Sequence, residues 1–199
     1  QWRKNGFFMH GKFYSHESFF RKPDQLIIQS LIKYSHKNNK LLKIILVNHK
    51  NSSDRAAEET YFRELVGGDV SFSDLTGGYP TYRAVDAAGV VVGVDSTVLY
   101  ESIARGTKTA IFSIRSKLLG INIGFNFGWP SEYANNGPFW TNHPDPESFE
   151  RILDHLFEID DAQWCAELAE HSYNKLMICD PGNSLLKSIL TKELGTMAN

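Results

Sequence analysis

The sequence is poor in the features that mark several functional classes. It has two cysteines in 199 residues, Cys165 and Cys179. Both fall among expected helices, so no disulfide framework is expected and a reducing cytoplasm is the expected compartment, with peripheral contact at the inner membrane as an option. No stretch approaches the ~18 consecutive apolar residues of a membrane span, and no signal peptide is read at the start. Positive charge is not in excess. A net charge of -2 gives no reason to expect a nucleic acid or an anionic membrane as partner. No Cys or His spacing suggests a structural metal. Neither a Walker A loop nor a G-x-S-x-G nucleophile is present. There is no internal repeat, low-complexity tract or interdomain linker.

What is present is enough apolar material for one sizeable core: 42% hydrophobic and 13% aromatic residues suit a single domain over 1–199. The chain starts at Gln1 and not at Met. It is read as the C-terminal part of a longer two-domain protein.

The chain is organised around Val90-Val91-Val92-Gly93-Val94-Asp95-Ser96-Thr97-Val98-Leu99-Tyr100-Glu101-Ser102-Ile103-Ala104-Arg105-Gly106. The unbroken apolar run suits a parallel strand buried on both faces. Asp95, Ser96 and Thr97 are each good helix N-caps. Leu99 and Ile103 lie four apart on one helical face, and Gly106 is a left-handed C-cap. At the start of such a helix the first amides lack partners and the dipole adds partial positive charge, which makes a site for an anion, most often a phosphate. The plainer alternative is that Ser96 or Thr97 merely caps the helix and Glu101 pairs with Arg105. The continuation from Thr107 to Ser113 is a second buried strand and completes a βαβ unit.

The rest of the chain keeps the rhythm. Strands are expected near 6–10, 42–47, 69–72, 90–94 and 108–113. Helices are expected from Pro23 to Asn38-Asn39, from Ser53 or Asp54 to Val66, and from Tyr79 to Ala88. Residues 114–136 break the pattern as a long loop, of a length that is uncommon unless functional or mobile. It is expected to order over a bound ligand or against a missing domain. Gly137-Pro138-Phe139-Trp140 reads as a last strand. Asp145-Pro146-Glu147 is a strong helix start, and three helices finish the chain at about 146–157, 160–176 and 183–194.

This alternation predicts an α/β fold, a doubly wound, mostly parallel Rossmann-like sheet in the order 3-2-1-4-5 with C-terminal helices. Ligands of such sheets bind beyond the carboxyl ends of the strands. The expected rim is His10-Gly11-Lys12, Asn48-His49-Lys50, Ser73-Asp74, Asp95-Ser96-Thr97 and Ser113-Ile114-Arg115. It is friendly to anions on a chain without overall positive charge. Lys12 can neutralise a diphosphate or stand solvated; His49 can meet a phosphate or sit exposed. The indoles of Trp129 and Trp140 can stack on a sugar or belong to the core.

Asp95-Ser96-Thr97-x3-Glu101-x4-Gly106 followed by a strand resembles the donor-site segment of GT-B glycosyltransferases. The tail from Gly137 to Phe149 resembles the last strand and following helix of the same domain. Over most of residues 6–194 the chain is similar to the C-terminal half of O-antigen and surface-polysaccharide biosynthesis proteins. The resemblance implies a domain that holds a nucleotide-sugar donor, with phosphates at the helix N-terminus and an acidic helix residue, here Glu101, on a ribose. It implies Gly11, Lys12, His49, Asp95, Ser96, Thr97 and Glu101 as substrate-binding residues. No cofactor is expected, since the nucleotide sugar is the substrate. The implied partners are the donor, a saccharide acceptor and an N-terminal domain of the same protein; the catalytic base often lies there, so the isolated chain would bind nucleotide but turn over poorly. Thr107-Lys108 stands where the family has a proline. Asp95-Ser96 replaces the Gly-Gly turn of uridine-nucleotide enzymes, and His49-Lys50 stands where enzymes of cytidine-monophosphate sugars carry His-Pro. The base is therefore open. A sugar-nucleotide 2-epimerase and a catalytically silent scaffold are the alternatives.

Overall fold

A computed structural model describes residues 6–9, 11–46, 52–68, 70–73, 76–121, 124–180 and 182–196. In chain order its elements are β1 (Phe7–Met9), β2 (Lys12–Tyr14), and a π-helical turn (Glu17–Arg21) that runs into α1 (Lys22–Lys37). Then come β3 (Lys43–Ile44), α2 (Ser52–Val66), β4 (Ser71–Phe72), α3 (Pro80–Asp86), β5 (Val91–Gly93), α4 (Thr97–Ala104) and β6 (Thr109–Phe112). The chain continues with α5 (Arg115–Leu119), β7 (Trp140–Thr141), α6 (Pro146–Glu158), α7 (Asp161–Glu170), a 3-10 turn (Tyr173–Lys175) and α8 (Ser184–Thr196).

β6 is the centre. Its four residues are all buried, because β5 and β7 pair with it in parallel on either side and α4 and α6 both pack against it. A strand covered in this way has no polar face to alternate; Ala110, Ile111 and Phe112 are apolar, and the buried Thr109 hydroxyl donates to Thr107 O at 2.9 Å. α6 shows the complementary pattern. Phe149, Ile152, Leu153 and Leu156 are buried at helical spacing, and the Phe149 ring stacks on Phe112 of β6 at 4.2 Å between centroids. Its start is as expected. The Asp145 side chain accepts from the amides of Glu147 and Ser148, with Pro146 in the first turn. α1 lies against α6, where Tyr34 donates its hydroxyl to Asp154 at 2.9 Å. On its other side Ile28 packs with Tyr61 and Leu65 of α2.

The expected βαβ units are present in part. β3 and β4 are parallel, as are β5 and β6. The fold is thus mixed α/β with small, mostly parallel sheets, and it departs from the expectation in four places. First, the strand at 6–10 does not join a parallel sheet. β1 turns back through Gly11, at φ +76°, and pairs with β2 antiparallel, Phe8 opposite Phe13. One face of this hairpin seats Phe7 against Phe19, at 4.6 Å between rings, which fixes the pairing locally. Second, the described strands form three separate sheets, β1-β2, β3-β4 and β5-β6-β7, so the single five-stranded sheet in the order 3-2-1-4-5 is not seen. Third, the stretch after β6 is not all loop. It opens with the short helix α5, which Gly120 closes in the left-handed conformation. Fourth, the helix expected over 160–176 breaks after Glu170, where Ser172 takes φ +58°.

Among the described residues no helix is long and apolar enough to cross a membrane.

Candidate functional site

The turn between β5 and α4 has the form read from the sequence. Ser96 is the N-cap residue of α4 with extended backbone, φ -75° and ψ 140°. Gly93 lets the helix settle on its strand: a Cβ there would stand 2.9 Å from the Leu99 side chain. Gly106 ends the unit at φ +84°. What the sequence did not give is that the cap is empty. The Ser96 side chain accepts no hydrogen bond from the helix. The Leu99 amide turns to Ser96 O at 3.0 Å. Ser96 and Thr97 are both exposed. An α-helix start of this kind offers unpartnered amides, the positive end of the dipole and two free-standing hydroxyls.

Asp95 does not share in this. Its Oδ1 is ion-paired with Arg115 Nη1, while Oδ2 is buried with no hydrogen-bond partner among the described residues. Arg115 is itself buried, 7% exposed. Nε donates to Phe19 O at 3.0 Å, Nη2 lies 3.9 Å from Asp24 Oδ1, and the planar group sits over the rings of Phe19 and Phe20. Asp24 in turn accepts from Tyr61 Oη at 2.8 Å. One arginine thus joins the end of β6, the turn after β5, the π-helical turn and α1. It also offsets a carboxylate that would otherwise oppose an anion at α4.

Glu101 does not pair with Arg105, as the plainer reading of the sequence expected. It accepts the Tyr82 hydroxyl of α3 at 2.7 Å, and that bond, with some burial, raises the Tyr82 phenol above its ordinary pKa. Arg105 instead makes a two-pronged ion pair with Asp86 and lies over the Tyr82 ring. α3, placed beside α4, outcompetes the contact within the helix.

Gly11 and Lys12 lie at the tip of the β1-β2 hairpin rather than at the end of a parallel strand. Lys12 is exposed, its ammonium 5.4 Å from the centre of the Tyr14 ring. Among the described residues neither makes a hydrogen bond or ion pair with α4. His49 lies outside the described residues, as do His10, Asn48, Lys50 and Asp74. Of the expected rim the structure therefore brings together Asp95, Ser96, Thr97 and the end of β6, where Ser113 Oγ donates to Val94 O at 3.2 Å.

The segment from Phe125 to Asn136 returns to this edge. Phe127 N donates to Asn142 Oδ1 at 3.0 Å, just past the end of β7. Gly128 N donates to the Tyr100 hydroxyl at 2.9 Å, on the first turn of α4. Burial pushes the Tyr100 phenol up, the Gly128 contact opposes this, and the charge of Asp95 adds to it. The loop thus packs toward the carboxyl ends of the strands. Trp140 is core, 2% exposed, whereas Trp129 is 62% exposed.

Tyr82 and Tyr100 were not expected at the site, and Arg115, expected on the rim, was not expected to pair with Asp95. Arg115 had a signal. The parallel register sets Gly93 against Ile111, so the residues just beyond, Asp95 and Ser113, are neighbours, and Arg115 follows at once. Among the described residues no group of His, Cys, Asp and Glu is placed to hold a metal ion.

A family model described as "putative O-antigen biosynthesis protein" matches residues 3–194. The chain belongs to that family. No curated protein and no solved structure matches it. The family description points to O-antigen biosynthesis at a coarse level, compatible with an enzyme that handles sugar substrates.

Proposed function

We infer that the chain is a nucleotide-sugar-binding domain of a GT-B-like glycosyltransferase that supplies the donor half of the site. The observation that carries this reading is the uncapped N-terminus of α4, with Ser96 and Thr97 exposed beside it, in a family tied to O-antigen biosynthesis. In sugar transfer the bond from the anomeric carbon to the nucleotide phosphate breaks, and negative charge grows on the departing phosphate. Preorganised amides and a helix dipole are worth most where charge develops. Here they come from the first turn of α4, with the two hydroxyls adding donors and Arg115 offsetting Asp95. The nucleotide is the leaving group and the sugar passes to a saccharide acceptor. A 2-epimerase would need carboxylates free to move protons, whereas Asp95 and Glu101 are held by Arg115 and Tyr82.

Calorimetric titration with CMP, UDP, GDP and dTDP tests this reading. One of them should bind, and Ser96→Ala should weaken it about ten- to a hundredfold, because a hydroxyl bond to a charged group contributes roughly 1.5–3 kcal/mol. Since Ser96 caps nothing, that substitution should leave the melting temperature nearly unchanged. If Ser96→Ala and Thr97→Ala both bind like wild type, the phosphate is not there.

A further inference from the structure

Trp129 stands out among the aromatic residues of its region. Phe127, Phe139 and Trp140 are each at most 2% exposed, and Trp129 is 62% exposed. The position of its backbone is set by its neighbours. Phe127 stacks on Trp140 at 4.2 Å and its amide is held by Asn142. Gly128 is bonded to Tyr100 of α4, and Ser131 N closes the turn on Gly128 O at 2.9 Å. Gly128 takes φ +74°, and a Cβ there would lie 2.2 Å from the Tyr133 ring. Only glycine bends the chain at this point, so that Phe127 goes in and the next side chain goes out. An indole is thus presented to solvent from a turn braced on the helix whose N-terminus is the candidate phosphate site.

Exposing an indole forgoes the burial that a side chain of this size otherwise contributes. A ligand that covers it restores that gain. The sugar of a nucleotide-sugar hangs from the phosphate, so it must lie near the first turn of α4 if the phosphate does. The faces of a pyranose carry C–H groups, apolar and slightly positive, and an indole face is flat, apolar and slightly negative. We propose that Trp129 is the platform on which the donor's sugar ring stacks. This rests on the donor-binding reading above. Trp129 is a binding residue for the sugar and takes no part in bond breaking.

The test compares UDP-glucose, GDP-mannose, dTDP-glucose and CMP-N-acetylneuraminate with the corresponding free nucleotides, by calorimetry on the full 199-residue chain. W129A should weaken the sugar-linked ligand roughly tenfold, equivalent to ~1.4 kcal/mol, and leave the free nucleotide unchanged. W129F keeps a flat ring and should retain most of the affinity, which also controls for misfolding in W129A. Equal weakening of nucleotide and nucleotide-sugar would place the base on Trp129 and overturn the proposal. So would unchanged binding of both by W129A. Failure of the wild-type chain to bind any of these ligands would overturn the donor-binding reading, and the platform with it.

Discussion

Replacing Arg115 by methionine keeps a long unbranched side chain and removes the charge and every donor. In the structure that charge faces two carboxylates. Asp95 is ion-paired with it and Asp24 lies 3.9 Å away. The side chains of Arg115 and Asp24 are 9% exposed and that of Asp95 is 23% exposed. Removing one partner of a buried ion pair costs about 3–5 kcal/mol, most of it the penalty of leaving the other charge unpaired. The partial exposure of Asp95 argues for the lower end of that range, whereas the Phe19 carbonyl, which loses its Nε donor, argues for the upper. At about 2–4 °C per kcal/mol for a chain of this size, the melting temperature should fall by ~6–20 °C. The assay is urea unfolding followed by far-UV circular dichroism, with a thermal scan as check. The double variant Arg115→Met/Asp95→Asn should recover part of the loss, because the two side chains interact directly. A single variant that costs less than ~1 kcal/mol, or a double variant whose loss is the plain sum, would refute the claim that Arg115 clasps the β5-α4 turn to the N-terminal elements.

Other consequences are open to measurement. Phe149→Ala should destabilise by about 3–5 kcal/mol, since the ring is wholly buried against Phe112; denaturant unfolding reads it, and a loss under ~1 kcal/mol would contradict the central place given to β6 and α6. The Asp145 carboxyl is held below the ordinary carboxylate range, first by the Ser148 hydroxyl and then by the amides it caps. Its folded pKa is depressed, so its contribution to stability is present above the unfolded value and is lost as pH falls through the folded one. Melting temperature followed from about pH 6 down to about pH 2 should therefore decline less steeply at the acid end for Asp145→Asn than for wild type; parallel curves would remove the cap from the account of acid stability.

Local rules carried the sequence reading furthest where one segment decides its own structure. The Val90–Gly106 unit has its strand, cap position and terminating glycine where the residue types put them, because each rests on neighbours within one turn. Asp145-Pro146 set the start of α6 in the same way. The hairpin at Phe7–Tyr14 was missed because a short apolar run does not say whether its partner is parallel or antiparallel; the Gly11 turn and the Phe8–Phe13 pair decide it. The helix start at Ser96 and Thr97 was legible, and the partners of Asp95 and Glu101 were not. Those partners, Arg115 and Tyr82, lie 20 and 19 positions away in the chain, and only the packed fold brings them close. The separate β3-β4 pair has the same origin. Strand existence follows local composition, but which strands meet depends on contacts that no local window contains.

The most direct test of the donor-binding reading is a crystal structure of the chain soaked with its best nucleotide. The expected result is a phosphate oxygen about 2.7–3.2 Å from an amide of the first turn of α4, with the Ser96 or Thr97 hydroxyl also in reach. A nucleotide bound elsewhere, with the first turn of α4 open to solvent, would contradict it.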